Sequence, residues 1–241
     1  MHFADRIHTS TIDYPGHLSC IIYTLGCNLD CSFCHNKNLV TGQVDKIDSF
    51  EMIARLQKRR SFLDHVVITG GEPTINVSLP DFCQKIKNLG FKIKLDTNGL
   101  RPKMILKLVE NNLIDYIAMD LKSAVDRYGQ FIDPKLRRSD VSYEHLDSLL
   151  NSIRTLRDSG IDHEYRTTAT RTSCKQVNFL ELKKLLEMMY SNTERLYKPT
   201  WYVQHTRQIE DGTLDLYTEE ELKIIVERLN GDVSFINIEY R

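Results

Sequence analysis

Residues 18–34 read LSCIIYTLGCNLDCSFC, an apolar run that leads directly into three closely spaced cysteines. The run over 18–25 is short and rich in β-branched residues, which predicts a buried β-strand. Cys27, Cys31 and Cys34 then fall in the loop at the carboxyl end of that strand. In α/β folds built on a parallel sheet, reactive groups gather at the carboxyl ends of the strands. The stretch therefore predicts both a fold class and the edge of the sheet that carries the chemistry.

The same alternation of apolar runs and helical periodicity continues along the chain. It predicts a parallel sheet with crossover helices, in six βα units or slightly more, covered on both faces or closed like a barrel. Strands are predicted over 18–25, 65–69, 91–97, 116–121, 163–170, 200–204 and 233–238, and helices over 48–60, 79–89, 102–112, 142–159, 176–190 and 218–230.

Several element boundaries are marked by their own residues. Ser78 stands where a helix N-cap is expected, Gly90 where a helix should end, and Thr218 followed by Glu221 has the pattern of a capping box. No linker or internal repeat divides the chain, so a single domain over 1–241 is predicted. Residues 124–140 are rich in charge and lack periodicity, and they are read as a mobile insertion or as an ordinary surface loop.

Composition excludes two classes of function. The 241 residues carry 32 Lys and Arg against 33 Asp and Glu, a formal net charge of −1, so no overall attraction to nucleic acid or anionic lipid is expected. The mean hydropathy is −0.36, and no apolar run approaches the roughly 20 residues that span a bilayer. The charge and the hydropathy therefore predict that the protein has no nucleic-acid or membrane partner. The first residues lack the apolar stretch of a secretory signal, which predicts a cytoplasmic protein.

Six cysteines are present, and three of them lie within eight residues. Cytoplasmic thiols stay reduced, so such clustering indicates metal ligands or catalytic groups rather than disulfides. Three thiolates can hold an iron–sulfur cluster, whereas ferredoxin-type carriers and structural zinc sites use four ligands. An iron open to a non-protein ligand is therefore favoured. The alternatives are three unrelated buried thiols, or a zinc site with His35 as its fourth ligand.

The C-x3-C-x2-C spacing, with the aromatic Phe33 before the third cysteine, resembles the radical S-adenosylmethionine (SAM) superfamily. The resemblance implies a partial (β/α)6 TIM-like barrel in which Cys27, Cys31 and Cys34 bind a [4Fe-4S] cluster in a loop over 26–36. It implies that SAM chelates the fourth iron, and that the reduced cluster cleaves SAM to a 5′-deoxyadenosyl radical. Phe33 is then expected to contact the cofactor.

Further motifs stand at the ends of successive predicted strands, and the same resemblance gives them roles. Thr69-Gly70-Gly71-Glu72-Pro73 resembles the motif that receives the amino group of SAM, although a lone Gly-Gly-Glu-Pro also suits a turn. By resemblance to glycyl-radical activating enzymes, Asp120 and Lys122 are expected to contact polar parts of SAM. Asp96, Thr97 and Asp120 are expected to line a monovalent-cation site beside its carboxylate; helix N-capping is the alternative for the acids. Arg166 and His205 are added as cofactor contacts, with an ordinary ion pair and a structural histidine as the alternatives.

Ser10-Thr11-Ile12-Asp13-Tyr14-Pro15-Gly16 precedes the first predicted strand, and with Cys34-His35-Asn36 it resembles glycyl-radical enzyme activases, especially those of anaerobic ribonucleotide reductase. The likeness runs from Ser10 to Lys122 and more loosely to Gln204. It implies hydrogen abstraction from a glycine of a glycyl-radical enzyme, without a side-chain acid or base, and flavodoxin or ferredoxin as the electron donor.

Departures from related patterns narrow this reading. No cysteine occurs between Cys34 and Cys83, so auxiliary clusters are not expected, and enzymes that make deazaguanine use a longer first cysteine spacing. Two alternatives stay open: a radical SAM enzyme acting on a small molecule or peptide, and an iron–sulfur electron carrier, which would not need the Gly-Gly-Glu motif.

Overall fold

The computed structural model describes residues 1–131, 143–191, 198–208, 212–231 and 235–241. Contacts divide the chain into two units. The first consists of residues 1–28, 36–97 and 101–118, and the second of residues 29–35, 98–100 and 119–241. The three cysteines of the run are thus divided: Cys27 belongs to the first unit, and Cys31 and Cys34 belong to the second.

Nine strands and seven helices are assigned in the described residues. The strands are β1 His2–Tyr14, β2 His17–Thr24, β3 Lys46–Asp48, β4 His65–Gly70, β5 Lys92–Thr97, β6 Tyr116–Asp120, β7 Asp162–Thr168, β8 Thr200–Gln204 and β9 Asn237–Tyr240. The helices are α1 Lys37–Thr41, α2 Ser49–Arg59, α3 Leu79–Asn88, α4 Pro102–Glu110, α5 Tyr143–Ser159, α6 Gln176–Tyr190 and α7 Glu219–Leu229. Short 3-10 helices cover Pro73–Ile75 and Val125–Phe131.

In the first unit the strand order is β3-β1-β2-β4-β5, followed by the first three residues of β6. β1 is antiparallel to both β2 and β3, whereas β2, β4 and β5 are parallel, with Cys20 opposite Val66 and Val66 opposite Ile93. All three of these side chains are fully buried. Parallel strands buried on both faces explain why the sequence shows continuous apolar runs rather than alternation. This register places the ends of β2, β4 and β5 at one edge of the sheet.

In the second unit β7, β8 and β9 are parallel neighbours, with Tyr165 opposite Trp201 and Trp201 opposite Ile238. The buried indole N–H of Trp201 donates to Oγ1 of Thr167 at 2.9 Å, so this core residue has its polar atom satisfied. Helix α7 begins with the capping box predicted from Thr218 and Glu221.

Most predicted elements agree with the structure in place and type. β8 spans the predicted residues, and α6 does so as well. The long strand β1 was not predicted. Its sequence mixes charged and apolar residues, and it becomes a strand through antiparallel pairing with β2 rather than through a local apolar pattern.

Other predictions need correction or were not tested. The last strand, β9, lies later than the predicted 233–238, because its pairing with β8 begins at Asn237, opposite Thr200. Residues 232–234 lie outside the described part. Ser78 stands at the N-cap of α3 but its side chain makes no capping hydrogen bond. The predicted insertion begins as the Val125–Phe131 helix, and residues 132–140 lie outside the described part. The single-domain extent of 1–241 stays a prediction.

None of the helices in the described segments combines the length and the apolar character that a bilayer crossing requires.

Candidate functional site

The cysteine run follows β2 directly. Cys31 is buried and Cys34 is half-buried, and the backbone N–H of Cys34 donates to the carbonyl oxygen of Cys31 at 3.2 Å, which closes a tight turn between them. Cys27 is half-buried. Over the ranges that the structure describes, no three His, Cys, Asp or Glu side chains converge as a metal-binding group. The joint ligation of one cluster by all three thiols is therefore a proposal and is treated below.

The other three cysteines differ chemically from the run. Burial raises the pKa of the Cys20 thiol to about 11, although Arg59 partly opposes the shift, and it raises the pKa of Cys83 to about 12. Burial also raises the pKa of Cys174. Thiols with such pKa values stay protonated near neutral pH, and the thiolate is the form that binds iron. These three cysteines are therefore packing residues of the core.

His35 follows the third cysteine of the run. Its Nε2 shares a hydrogen bond of 2.8 Å with the hydroxyl of Thr206, in the same unit. This contact gives the ring a structural role and lends no support to a zinc site with His35 as fourth ligand.

Gly70 is the last residue of β4, and Gly71 follows it. Both glycines lie against the backbone of residues 23–26, which precedes Cys27. A Cβ atom at Gly71 would lie 1.9 Å from the carbonyl oxygen of Gly26, and one at Gly70 would lie 2.5 Å from backbone atoms of Thr24. Two hydrogen bonds fix this approach, from Gly71 N–H to Thr24 O at 2.9 Å and from Glu72 N–H to Gly26 O at 2.8 Å. The glycines thus allow two backbones to meet.

The Glu72 side chain is 1% exposed and serves several donors. Its Oε1 accepts from Thr74 N–H at 3.0 Å, which caps the Pro73–Ile75 helix, and from the Thr97 hydroxyl at 2.7 Å. The structure therefore brings together two predicted cofactor residues, Glu72 and Thr97, from the ends of neighbouring strands. A carboxylate held in this way is pre-oriented, which is what ammonium recognition requires.

Asp96, near the end of β5, forms an ion pair that the sequence analysis missed. Nζ of Lys94 lies 2.5 Å from Oδ1 of Asp96, and the Lys94 side chain is fully buried. Residues i and i+2 of a strand point to the same face, so the spacing Lys94-Leu95-Asp96 was the available signal.

Asp120 and Lys122 form a second such pair at the end of β6, with Nζ and Oδ2 2.6 Å apart. The Lys122 ammonium also lies 6.0 Å from the centre of the Phe33 ring, which is buried and packs edge-on against Phe131. Burial opposes the charged form of Lys122, but Asp120 and Cys31 together raise its pKa above the ordinary value. A lasting positive charge beside Cys31 stabilises a thiolate there. Within the second unit, Lys122 thus brings together three other predicted site residues: Cys31, Phe33 and Asp120.

Arg166 on β7 forms the third pair. Its Nε and Nη2 both lie 2.5 Å from Oε1 of Glu164, whose side chain is 1% exposed, and Nη1 of Arg241 lies 3.5 Å from the same oxygen. Glu164 was also missed, although it again stands two residues from its partner on one strand. Two guanidinium groups therefore share one buried carboxylate.

His205 follows β8, and its backbone N–H donates to the carbonyl oxygen of Arg241 at 3.0 Å. This bond positions the backbone at the end of β8. It assigns no role to the imidazole, so the predicted cofactor contact of His205 stays a prediction.

Comparison with known proteins gives the family. The model of the radical SAM superfamily matches residues 21–189. A Methanocaldococcus jannaschii protein that carries the provisional name glycyl-radical enzyme activating enzyme is 34% identical over 163 residues, 67% of this chain and 65% of its own length. A Sulfolobus acidocaldarius protein provisionally named GTP 3′,8-cyclase is 23% identical over 222 residues, 90% of this chain and 65% of its own length. The chain therefore spans less than two thirds of both relatives.

A solved structure similar to this chain is a radical SAM methyltransferase from Sphaerobacter thermophilus, with a TM-score of 0.68 at 19% identity, covering 95% of this chain and 67% of that one. It confirms the predicted α/β fold class with a mostly parallel sheet, and it is consistent with the partial TIM-like barrel. Membership of the radical SAM superfamily implies a [4Fe-4S] cluster and SAM as cofactors. Since the family model matches well over half of the sequence, this chain belongs to the radical SAM superfamily.

Proposed function

We propose that this radical SAM enzyme activates a glycyl-radical enzyme by removing a hydrogen atom from a glycine Cα of that partner, with anaerobic ribonucleotide reductase as the first candidate. The observation that supports this most is the 34% identity over 163 residues to a protein provisionally named as such an activating enzyme. The Ser10–Gly16 segment, which forms the end of β1 and the turn into β2, adds to it because this segment resembles the corresponding one of glycyl-radical enzyme activases.

In this proposal Cys27, Cys31 and Cys34 hold the [4Fe-4S] cluster. The support is the chemistry of the donor set, because the three side chains do not converge in the described residues. These cysteines follow β2 within eight residues, Cys31 has the Lys122 charge beside it, and the remaining cysteines are protonated core residues. The bound cluster and SAM supply the carbon-centred radical that removes hydrogen.

The residues of the chain then bind and orient SAM. Glu72 is the acceptor for its amino group, and Lys122 and Arg166 provide positive charge for its carboxylate, each held in place by a carboxylate partner two residues away. Hydrogen-atom transfer needs no proton donor or acceptor, so no side chain is assigned as an acid or base. The remaining proposed contacts are Phe33, Gly70, Gly71, Asp96, Thr97, Asp120 and His205.

The reduced state of the cluster requires an electron donor, for which flavodoxin or ferredoxin is proposed from the family likeness. The same proposal places the chain in the cytoplasm and under anaerobic conditions, because exposed thiolates and reduced clusters are sensitive to oxidation.

The experiment is anaerobic reconstitution with iron and sulfide, followed by incubation with SAM, a reductant and candidate glycyl-radical enzymes. Electron paramagnetic resonance should show a glycyl doublet, and chromatography should show 5′-deoxyadenosine formed with it. Cys31→Ala should abolish both signals, whereas the matched control Cys83→Ala should keep them. A doublet that is absent with every partner, while SAM is still cleaved, would exclude the activase role and keep the radical SAM assignment.

A second candidate is a radical SAM enzyme that acts on a small molecule. It is favoured by the relative provisionally named GTP 3′,8-cyclase, which matches 90% of this chain. The same reconstituted protein discriminates: 5′-deoxyadenosine formation that depends on an added nucleotide such as GTP, and not on a partner protein, would favour this candidate.

A further inference from the structure

Both acids that the family resemblance assigns to a monovalent cation, Asp96 and Asp120, already pair with a lysine. On β5, the ammonium of Lys94 lies 2.5 Å from Oδ1 of Asp96. At the end of β6, in the other unit, the ammonium of Lys122 lies 2.6 Å from Oδ2 of Asp120. Lys94 stands two residues from its acid on one strand, so its pairing follows from strand geometry, whereas Lys122 lies two residues beyond Asp120, the last residue of β6.

Lys94 is the more informative partner because its side chain is fully buried. A buried ammonium cannot turn away into solvent to make room for an ion. It is held among groups of its own unit, with its Nζ 6.0 Å from the centre of the Tyr116 ring, where the π face adds attraction for a cation. Burying this ammonium is tolerable only because a carboxylate accompanies it.

We propose that the Lys94 ammonium supplies the positive charge that Asp96 needs, so that this enzyme takes no monovalent cation at Asp96. The implied Na⁺ or K⁺ does not fit there: it would meet an ammonium in contact with the carboxylate that should bind it. Repulsion between two unit charges a few ångström apart is strong in a protein interior.

The proposal rests on the site assignment above but not on the identity of the substrate. Its test is the thermal unfolding midpoint of the reconstituted protein in KCl, NaCl and choline chloride at equal ionic strength. Choline is too large to enter a site for a monovalent metal ion. The variants are Lys94→Met, which removes the buried charge, and the matched control Lys92→Met, which removes an exposed ammonium from the same strand.

For the wild type, and likewise for Lys92→Met, the unfolding midpoint should be the same in all three salts. In choline chloride, Lys94→Met should unfold roughly 10 °C below the wild type, because Asp96 has lost the charge of Lys94. In KCl or NaCl, the same variant should recover part of this loss. The double variant Lys94→Met/Asp96→Asn, which removes both charges, should be insensitive to the salt. SAM cleavage by the wild type should change less than twofold between KCl and choline chloride.

Saturable stabilisation of the wild type by K⁺ or Na⁺, but not by choline, would overturn the proposal. A Lys94→Met variant that matches Lys92→Met in every salt would overturn it as well. If Lys94→Met does not fold in any salt, ²³Na nuclear magnetic resonance of the wild type decides: saturable Na⁺ binding that Asp96→Asn abolishes contradicts the proposal, and its absence supports it. These readouts do not involve a glycyl radical, so failure of the activase assignment would leave them unchanged.

Discussion

The hydroxyl of Thr97 donates a hydrogen bond of 2.7 Å to Oε1 of Glu72, which joins the end of β5 to the Gly-Gly-Glu motif at the end of β4. The bond is fully buried and shares its acceptor oxygen with the N–H and hydroxyl of Thr74. Glu72 is therefore fixed from two elements. Its predicted role at the amino group of SAM depends on an orientation that Thr97 helps to set.

Thr97→Val should destabilise the protein by about 1 to 2 kcal/mol, because a buried carboxylate oxygen loses one donor while the shape of the side chain is kept. It should also weaken SAM binding, since Glu72 is less well oriented. Urea unfolding and SAM titration at the cluster absorption measure the two effects. The control is Thr41→Val on α1, whose exposed hydroxyl contacts only backbone carbonyls of its own helix. Equal losses in both variants would contradict the special role of Thr97.

Gly71→Ala should prevent normal folding or cost more than about 3 kcal/mol, because the added methyl would lie 1.9 Å from the carbonyl oxygen of Gly26, where backbone must shift. Gly231→Ala is the matched control: its nearest neighbour would be Arg228 O at 3.4 Å, an ordinary contact, and its φ lies outside the left-handed region. We expect little change there. Unfolding by denaturant compares the two, and a Gly71→Ala protein as stable as the control would refute the packing role of the motif.

The reactivity of the thiols should separate the cysteine run from the core cysteines. At pH 8 the apo protein should be alkylated at Cys27 and Cys34, which are half-buried. Cys20 and Cys83 should stay unmodified, because burial raises their pKa to about 11 and about 12 and keeps nearly all of each thiol protonated. Mass spectrometry of peptides after a short reaction gives the labelled positions. Rapid labelling of Cys83 in folded protein would contradict its assignment to the core.

Sequence reasoning succeeded where local pattern determines structure. The central strands are buried on both faces and therefore appear as continuous apolar runs, and the capping box at Thr218 formed as expected because its two hydrogen bonds involve only neighbouring residues. β1 was not predicted because its stabilisation comes from pairing with β2, which leaves no local pattern in the sequence.

The motifs of the site were found because they are short and stand at strand ends, but their partners were overlooked. Lys94 and Glu164 were each visible two residues from a predicted site residue, on a predicted strand. An opposite charge at i+2 in a buried strand is costly unless the two side chains meet. What the sequence did not reveal is the close approach of Gly71 to Gly26, since that contact joins distant segments of the chain.

Glu164 should act as the positioning residue for Arg166, and a double-mutant cycle tests it. Glu164→Gln keeps the volume but removes the charge that holds Arg166, so it should cost about 3 kcal/mol and weaken SAM binding as Arg166→Met does. Because the two side chains act as a unit, the double variant should lose much less stability and affinity than the sum of the single variants. Glu239→Gln, at an exposed position on β9, should change neither quantity. Unfolding in urea measures the stability of each variant in the cycle, and SAM titration measures its affinity for SAM. Additive losses would mean that the buried carboxylate stabilises β7 independently of Arg166, and the proposed orientation of this guanidinium toward a cofactor carboxylate would then be wrong.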